Sequence, residues 1–386
     1  MAGGAALAAS TPWNFTQAAH QVAAQLYALP AQEVGNMILA RPELKARLLA
    51  NENPFGPSKK AKEALLGEVD QGYMYGFEKK RDFAKIITEK YGLKNSSEEM
   101  SWGPSKDSYI MLGAGSTELL LAASVAYGQN GGKILSADPT YMSLIRSAQN
   151  VGAEWETVPL TKDYVHDLNR LADAVSDEHS LVYICNPNNP TGTTVNPDEM
   201  RAFCKEVSKK KPIFIDEAYI DYTPDPEKYS MMDLVAEGYN VIVTRTFSKL
   251  HAFAGLRIGY TVAQPEVIQE MSKYSNGGGN IACTSIAAAI ASFQDAEYFA
   301  YAREMNTKSK DFLYKTLESA GYEYIPSDTN FVLFPVKMDS SRFRDEMIKR
   351  GVGVRNWSFD NKEWCRVSIG TMQEMEYFAT AFNEIS

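Results

Sequence analysis

The sequence predicts an α/β protein: a large domain built on a mostly parallel sheet flanked by helices, followed by a smaller α+β domain. Three observations carry that expectation. From about residue 108 to about residue 274, short apolar runs of strand length alternate with helical or mixed segments, the rhythm of βαβ crossovers. That rhythm breaks at the glycine-rich bend Asn276-Gly277-Gly278-Gly279-Asn280. A chain of 386 residues also has room for two or three domains, at about 100–200 residues each.

Residues 1–49 hold one helical stretch around Gln17–Tyr27 and then an irregular run, too short for a domain. They are expected to form an arm against the small domain or a partner subunit. Met1–Ser10 is small and apolar, lacks a basic leader, and contains the Ala-x-Ala-like Ala6-Leu7-Ala8. A plain terminus, and with it a cytoplasmic protein, is one reading; the remnant of an export signal, placing the protein in the periplasm, is the other. The large domain is expected over residues 50–275. There Tyr109-Ile110-Met111-Leu112 runs into Gly113-Ala114-Gly115-Ser116, and Thr117–Tyr127 reads as a helix. Strand-like runs follow at Lys133–Ser136, Glu154–Val158, Leu181–Cys185, Pro212–Ile215 and Val241–Thr244. The small domain, 276–386, reads as helices to about Ala320, strand-like Asn330–Val336, a helix over Ser341–Arg350, strand-like Val352–Arg355 and Arg366–Ile369, and a last helix from Met372.

Composition excludes several functions. With 39 Lys+Arg against 48 Asp+Glu the formal charge is −9, the wrong sign for a nucleic-acid binder. No apolar run reaches the ~18 residues of a membrane span. Cys185, Cys204, Cys283 and Cys365 are widely scattered, and the four histidines form no metal-ligand spacing, so neither a disulfide framework nor a metal site is expected.

In parallel sheets, ligands bind at the carboxyl ends of the strands. Polar residues that break the apolar pattern collect at those ends here. Gly113–Glu118 joins strand to helix through small residues, so the amides of Ser116 and Thr117 would face an anion, although a plain tight turn reads the same way. Cys185-Asn186-Pro187-Asn188-Asn189-Pro190-Thr191-Gly192 is a stiff loop rich in amide side chains. Ile213-Phe214-Ile215 delivers Asp216, and Val241-Ile242-Val243 leads to Thr244-Arg245-Thr246-Phe247-Ser248-Lys249, with Arg257 eight residues on. An isolated lysine or arginine reads as a solvated charge. These residues instead occur in order on successive strand ends.

The set Gly113–Glu118, Pro139-Thr140-Tyr141, Asn186–Gly192, Asp216–Tyr222, Thr246–Lys249 and Ala254–Tyr260 resembles the fold-type I aminotransferases dependent on pyridoxal 5′-phosphate. Within them it resembles the histidinol-phosphate aminotransferase branch, which shares Leu48-x-x-Asn-Glu-Asn-Pro-x-Gly56 and the late Cys365–Thr371 run. The resemblance spans roughly residues 48 to 386 and implies the aspartate-aminotransferase-like fold. It implies that Lys249 binds the cofactor aldehyde and later moves the substrate Cα proton, because a primary amine is the common side chain able to do both. It implies that Asp216 pairs with the pyridine nitrogen, that Asn189 and Tyr219 meet the ring phenolate oxygen, and that Tyr141 stacks on the ring. Ser116, Thr117, Thr246, Ser248 and Arg257 would hold the phosphate. Tyr75 would reach the cofactor of a neighbouring subunit, making a homodimer with shared active sites. The family's Arg-Tyr-Pro is Met74-Tyr75-Gly76 here, and Tyr73 competes for that role.

On the substrate side the resemblance implies Arg366, Arg355 and Asn53. A guanidinium suits carboxylate and phosphate alike, so an α-amino acid and a phosphorylated amine both remain open as donors, with a 2-oxo acid as acceptor. The branch's N-terminal Tyr-Pro-Gly motif is absent from residues 1–49. Trp357, Phe359 and Trp364 near the two arginines suggest an aromatic or apolar substrate side chain, and His251, beside Lys249, reads as packing rather than proton transfer. The expected function is therefore transamination. A decarboxylase or lyase on the same scaffold, or a non-catalytic cofactor-binding protein, are the alternatives.

Overall fold

The computed structural model describes residues 44–94 and 103–386. The expected helix at Gln17–Tyr27 and the Met1–Ser10 segment lie outside the described residues. Two sheets and a two-residue strand pair organise the rest, with strands β1 (Ala46–Arg47), β2 (Ile110–Gly113), β3 (Lys133–Asp138), β4 (Glu154–Pro159), β5 (Leu181–Cys185), β6 (Ile213–Asp216), β7 (Val241–Thr246), β8 (Gly259–Val262), β9 (Phe331–Pro335), β10 (Val352–Gly353), β11 (Arg355–Phe359) and β12 (Lys362–Ser368).

The large sheet has seven strands in the order β2-β8-β7-β6-β5-β3-β4. Its β7-β6-β5-β3-β4 run is parallel, while β8 is antiparallel to both β2 and β7. The apolar strands are buried on both faces, and successive residues take opposite sides. Val182, Ile184, Ile213, Ile215, Val241 and Val243 join one core with Phe203, Leu234 and Ile286. Leu181, Tyr183, Phe214 and Ile242 join the other with Leu119, Leu120, Leu144 and Ile145. Helices between strands start on local signals. Asn196 caps the amides of Asp198 and Glu199 with Pro197 in the first turn, and Thr371 with Glu374 forms a capping box.

β8, like β1 and most of β11, is a strand the sequence reading lacks. It is short and begins on a glycine, inside a stretch that reads as binding chemistry. Its presence places the loop 247–258 between two antiparallel strands, so that Lys249 and Arg257 both return to the carboxyl edge of the sheet.

The second sheet is three-stranded and antiparallel, in the order β11-β12-β9. Its strands carry Val332, Phe334, Cys365 and Val367 into a separate core with Phe343, Phe378 and Phe382. β1 pairs in parallel with β10, and Ser368 N donates to Leu48 O, so the segment after β1 is stitched along this sheet and led toward the large one. The helix Cys283–Phe293, although it follows the glycine bend, packs back on the helices Lys59–Gly67 and Phe77–Lys90. No helix among the described residues is long and apolar enough to cross a membrane.

Candidate active site

A cavity of about 650 Å³ opens at the carboxyl edge of the large sheet. Its walls include Ser116, Thr117, Tyr141, Asn189, Asp216, Tyr219, Thr246, Ser248, Lys249, Arg257, Arg355 and Arg366. Residues separated by up to 250 positions meet because β2, β3, β5, β6 and β7 all end there.

Asp216 is the last residue of β6, in register with Cys185 and Thr244, and is 1% exposed. One of its oxygens accepts from Ala218 N at 3.1 Å. Burial pushes its carboxyl up to about 6 despite that bond and the nearby Lys249 charge. Lys249 Nζ donates to the Asn51 carbonyl at 3.1 Å and lies 5.4 Å from the Tyr219 ring centre. Burial, reinforced by Arg366, brings its ammonium down to about 8.

One end of the cavity is built for an anion. The helix Ser116–Gly128 begins after Gly115, whose φ is +75°, and has no side-chain cap on its first amides. Thr246 Oγ1 bonds Ser248 Oγ at 3.0 Å, and Arg257 Nη1 donates to the same Ser248 oxygen at 3.2 Å. Arg257 Nη2 donates to Ala114 O at 3.2 Å. A Cβ on Gly115 would stand 2.4 Å from that Nη2, and one on Gly259 would stand 2.9 Å from Ser116 N. Glycine at both positions keeps the cradle open.

The stiff loop sorts its asparagines by role. Asn186 accepts from Val195 N, and Asn188 ties Thr140, Pro139 and Thr191 together, so both hold the loop. Asn189 faces the cavity, where its Oδ1 accepts from Arg366 Nη1 at 2.5 Å and its Nδ2 lies 3.5 Å from Tyr219 Oη. Arg366 is 5% exposed, and burial lowers it to about 10, still charged at neutral pH. Arg355 sits opposite it in the β11–β12 register and donates to Leu49 O at 3.2 Å.

Two expected site residues are not in these walls. Asn53 spends its amide on Leu250 O (2.7 Å) and Tyr298 Oη (3.2 Å), and its Oδ1 on Phe55 N, so it clamps the chain beside the site. Asn51 takes the place expected of it. Its backbone is in the left-handed region, φ +53°, its Nδ2 donates to Tyr219 Oη at 2.9 Å, and its Oδ1 accepts from Ser368 Oγ. Tyr75 is 70% exposed and Tyr73 82%, both away from this chain's cavity. The aromatic expectation also narrows. Trp357 lines the cavity, whereas Phe359 and Trp364, stacked on each other at 5.0 Å, lie outside its walls in a cluster that Tyr164 and Trp357 also join. His251 bonds Ser292 Oγ at 2.8 Å and packs on Phe247 and Phe299, outside the walls, and burial lowers it to about 4.

A family model for aminotransferase class I and II matches residues 45–382. The histidinol-phosphate aminotransferase of Moorella thermoacetica is 34% identical over 358 residues, covering 92% of this chain and 89% of that protein. The crystal structure of histidinol-phosphate aminotransferase from Sinorhizobium meliloti in complex with pyridoxal 5′-phosphate superposes with a TM-score of 0.78 at 26% identity, over 97% of this chain and 98% of that one. The Thermotoga maritima aspartate aminotransferase structure shares the fold, with a TM-score of 0.75 at 21% identity over 95% and 97% of the two chains.

Proposed function

The chain belongs to the class I and II aminotransferase family, and from that premise we propose how its cavity holds pyridoxal 5′-phosphate and what it acts on. It is a pyridoxal-phosphate-dependent transaminase. Lys249 is the residue that carries the cofactor covalently, and Ser116, Thr117, Thr246, Ser248 and Arg257 hold its phosphate. Asp216 faces the ring nitrogen, Asn189 and Tyr219 the phenolate oxygen, and Tyr141 the ring face. When bound, the cofactor supplies an electron sink for the pair left on the substrate Cα.

The protein's own groups fit that task. Asp216 is ionised at neutral pH yet buried, so it keeps a proton on a ring nitrogen it faces. Lys249 Nζ, lowered to about 8, is neutral often enough to take a proton from Cα and return it. Arg366, braced by Asn189, receives the carboxylate or phosphate end of the substrate with Arg355 beside it. The donor is an amino acid or a phosphorylated amine of the histidinol-phosphate kind, a choice supported by the similarity to histidinol-phosphate aminotransferases such as that of Moorella thermoacetica, and the acceptor is a 2-oxo acid. The working unit is a homodimer with Tyr75 serving the neighbouring site.

One observation carries this reading: Lys249, Asp216 and the Ser116–Arg257 cradle line a single cavity. Borohydride reduction of the purified protein followed by peptide mapping tests it. The cofactor adduct is expected on Lys249 and absent in Lys249→Ala; an adduct elsewhere, or none, refutes it.

A further inference from the structure

Five cationic side chains line the cavity, Arg146, Lys249, Arg257, Arg355 and Arg366, against two carboxylates, Glu52 and Asp216. Glu52 is already engaged by Arg47 at 2.8 Å. No carboxylate among the described residues pairs with Arg146, Arg355, Arg366 or Arg257. On the proposed reading, Lys249 is taken by the cofactor, Arg257 by its phosphate, and Arg366 by the first anionic end of the substrate. Arg355 stands opposite Arg366 at that same end, so the positive charge left over is Arg146.

Arg146 belongs to a different wall from the other substrate arginines. It lies on the helix Ser143–Asn150, which follows β3. Ser143, Arg146 and Ser147, spaced i, i+3 and i+4, turn one face of this helix to the cavity, while Leu144, Ile145 and Ala148 bury the other in the sheet core. Both polar neighbours are small, so nothing on that face competes with the guanidinium for a ligand. A narrow cleft lined by one sign of charge concentrates its field on an incoming anion.

We propose that Arg146 is a specificity-determining residue that receives a second anionic group, carboxylate or phosphate, at the end of the substrate away from the group held by Arg366. This deepens the transaminase reading and rests on it. The preferred partners are then amino compounds and oxo acids with two charged ends, and the Trp357 wall is contact surface rather than an aromatic selector.

The test compares the cofactor-loaded wild type with Arg146→Gln and Arg146→Lys. Single-turnover conversion of the cofactor to its amine form is followed by absorbance with glutamate, norvaline and histidinol phosphate. For Arg146→Gln, kcat/KM on glutamate is expected to fall about 5- to 10-fold, mainly through KM, as loss of one partly exposed charge-assisted contact implies. Norvaline should stay within about 2-fold, and Arg146→Lys should retain most of the glutamate activity. A loss on histidinol phosphate in place of glutamate assigns the position to phosphate. Equal losses on norvaline and the charged donors, or no loss on either charged donor, overturn the proposal.

Calorimetric binding of succinate against propionate supplies a readout independent of turnover. The wild type should prefer the dianion, and Arg146→Gln should lose that preference; a preference unchanged in the variant overturns the role of Arg146. If the wild type converts its cofactor with no donor, the transaminase reading fails by itself, and the succinate comparison still judges Arg146.

Discussion

Replacing Asp216 by asparagine should stabilise the cofactor-free protein while disabling the loaded one. The carboxyl is raised from 3.8 to about 6 by burial, so at pH 8 the folded protein holds a charge it would shed if it could. At about 1.4 kcal/mol per pKa unit, that is a cost of about 3 kcal/mol. Asparagine keeps an oxygen for the Ala218 amide and removes the charge. For a chain of this size the gain corresponds to a rise of about 3–5 °C in the melting temperature of the cofactor-free protein. The sign with pH follows from the raised value. The folded protein binds the extra proton between pH 3.8 and about 6, so the wild-type deficit is complete above about 6, falls to about half at pH 5, and vanishes below 3.8. Melting the cofactor-free wild type and Asp216→Asn at pH 8 and pH 5 measures it. With cofactor loaded, transamination by the variant should fall by about 100-fold or more, since a preorganised charge is lost where charge develops. A variant less stable than wild type at pH 8, or a gap that widens toward pH 5, would refute the placement of a strained carboxylate there.

Two further outcomes follow from the same walls. Gly115→Ala puts a Cβ 2.4 Å from Arg257 Nη2 at a residue with φ +75°; cofactor affinity should drop about 10-fold or more and stability by about 1–2 kcal/mol, read by cofactor dialysis and by denaturation, and unchanged retention would contradict the phosphate cradle. Reloading cofactor-free protein should accelerate with pH to a plateau above about 8, the value to which burial lowers Lys249, because the neutral amine attacks; near pH 7.5 about a quarter of Lys249 is neutral, against about one in a thousand for an ordinary lysine, and a rate still climbing at pH 10 would count against it.

Much of the cavity was legible because buried strands are chemically monotonous. When β6 runs Ile213-Phe214-Ile215 and stops at a carboxylate, or β7 runs into Thr244 and then Thr246, the break itself marks the sheet edge where ligands bind. What escaped the sequence depends on backbone direction, which residue type does not encode. Asn51 and Asn53 both sit in Asn-Glu-Asn-Pro. The left-handed turn at Asn51 aims its carbonyl at Lys249, a conformation asparagine tolerates better than most residues. Asn53, ahead of Pro54, runs on to meet Leu250 and Tyr298. Arg146 was hidden for a different reason. An exposed arginine on an amphipathic helix looks like any solvated charge until the helix is docked and its polar face turns out to border a cavity.

The cavity's electrostatics run against the chain's. A net charge of −9 describes the outer surface, whereas burial lowers Lys249 to about 8 and Arg366 to about 10, and raises Asp216 to about 6. In all three, desolvation disfavours the charged form. A fold selected for stability alone would exchange them for apolar residues at little loss. On the proposed reading each instead meets a bound partner that restores what burial removed: a ring nitrogen for Asp216, an aldehyde for Lys249, a carboxylate or phosphate for Arg366. Binding free energy and folding free energy are therefore linked through the same three groups. Relieving the strain at any one of them should strengthen the empty fold and weaken the loaded one, which is the opposite of what removing an ordinary core contact does.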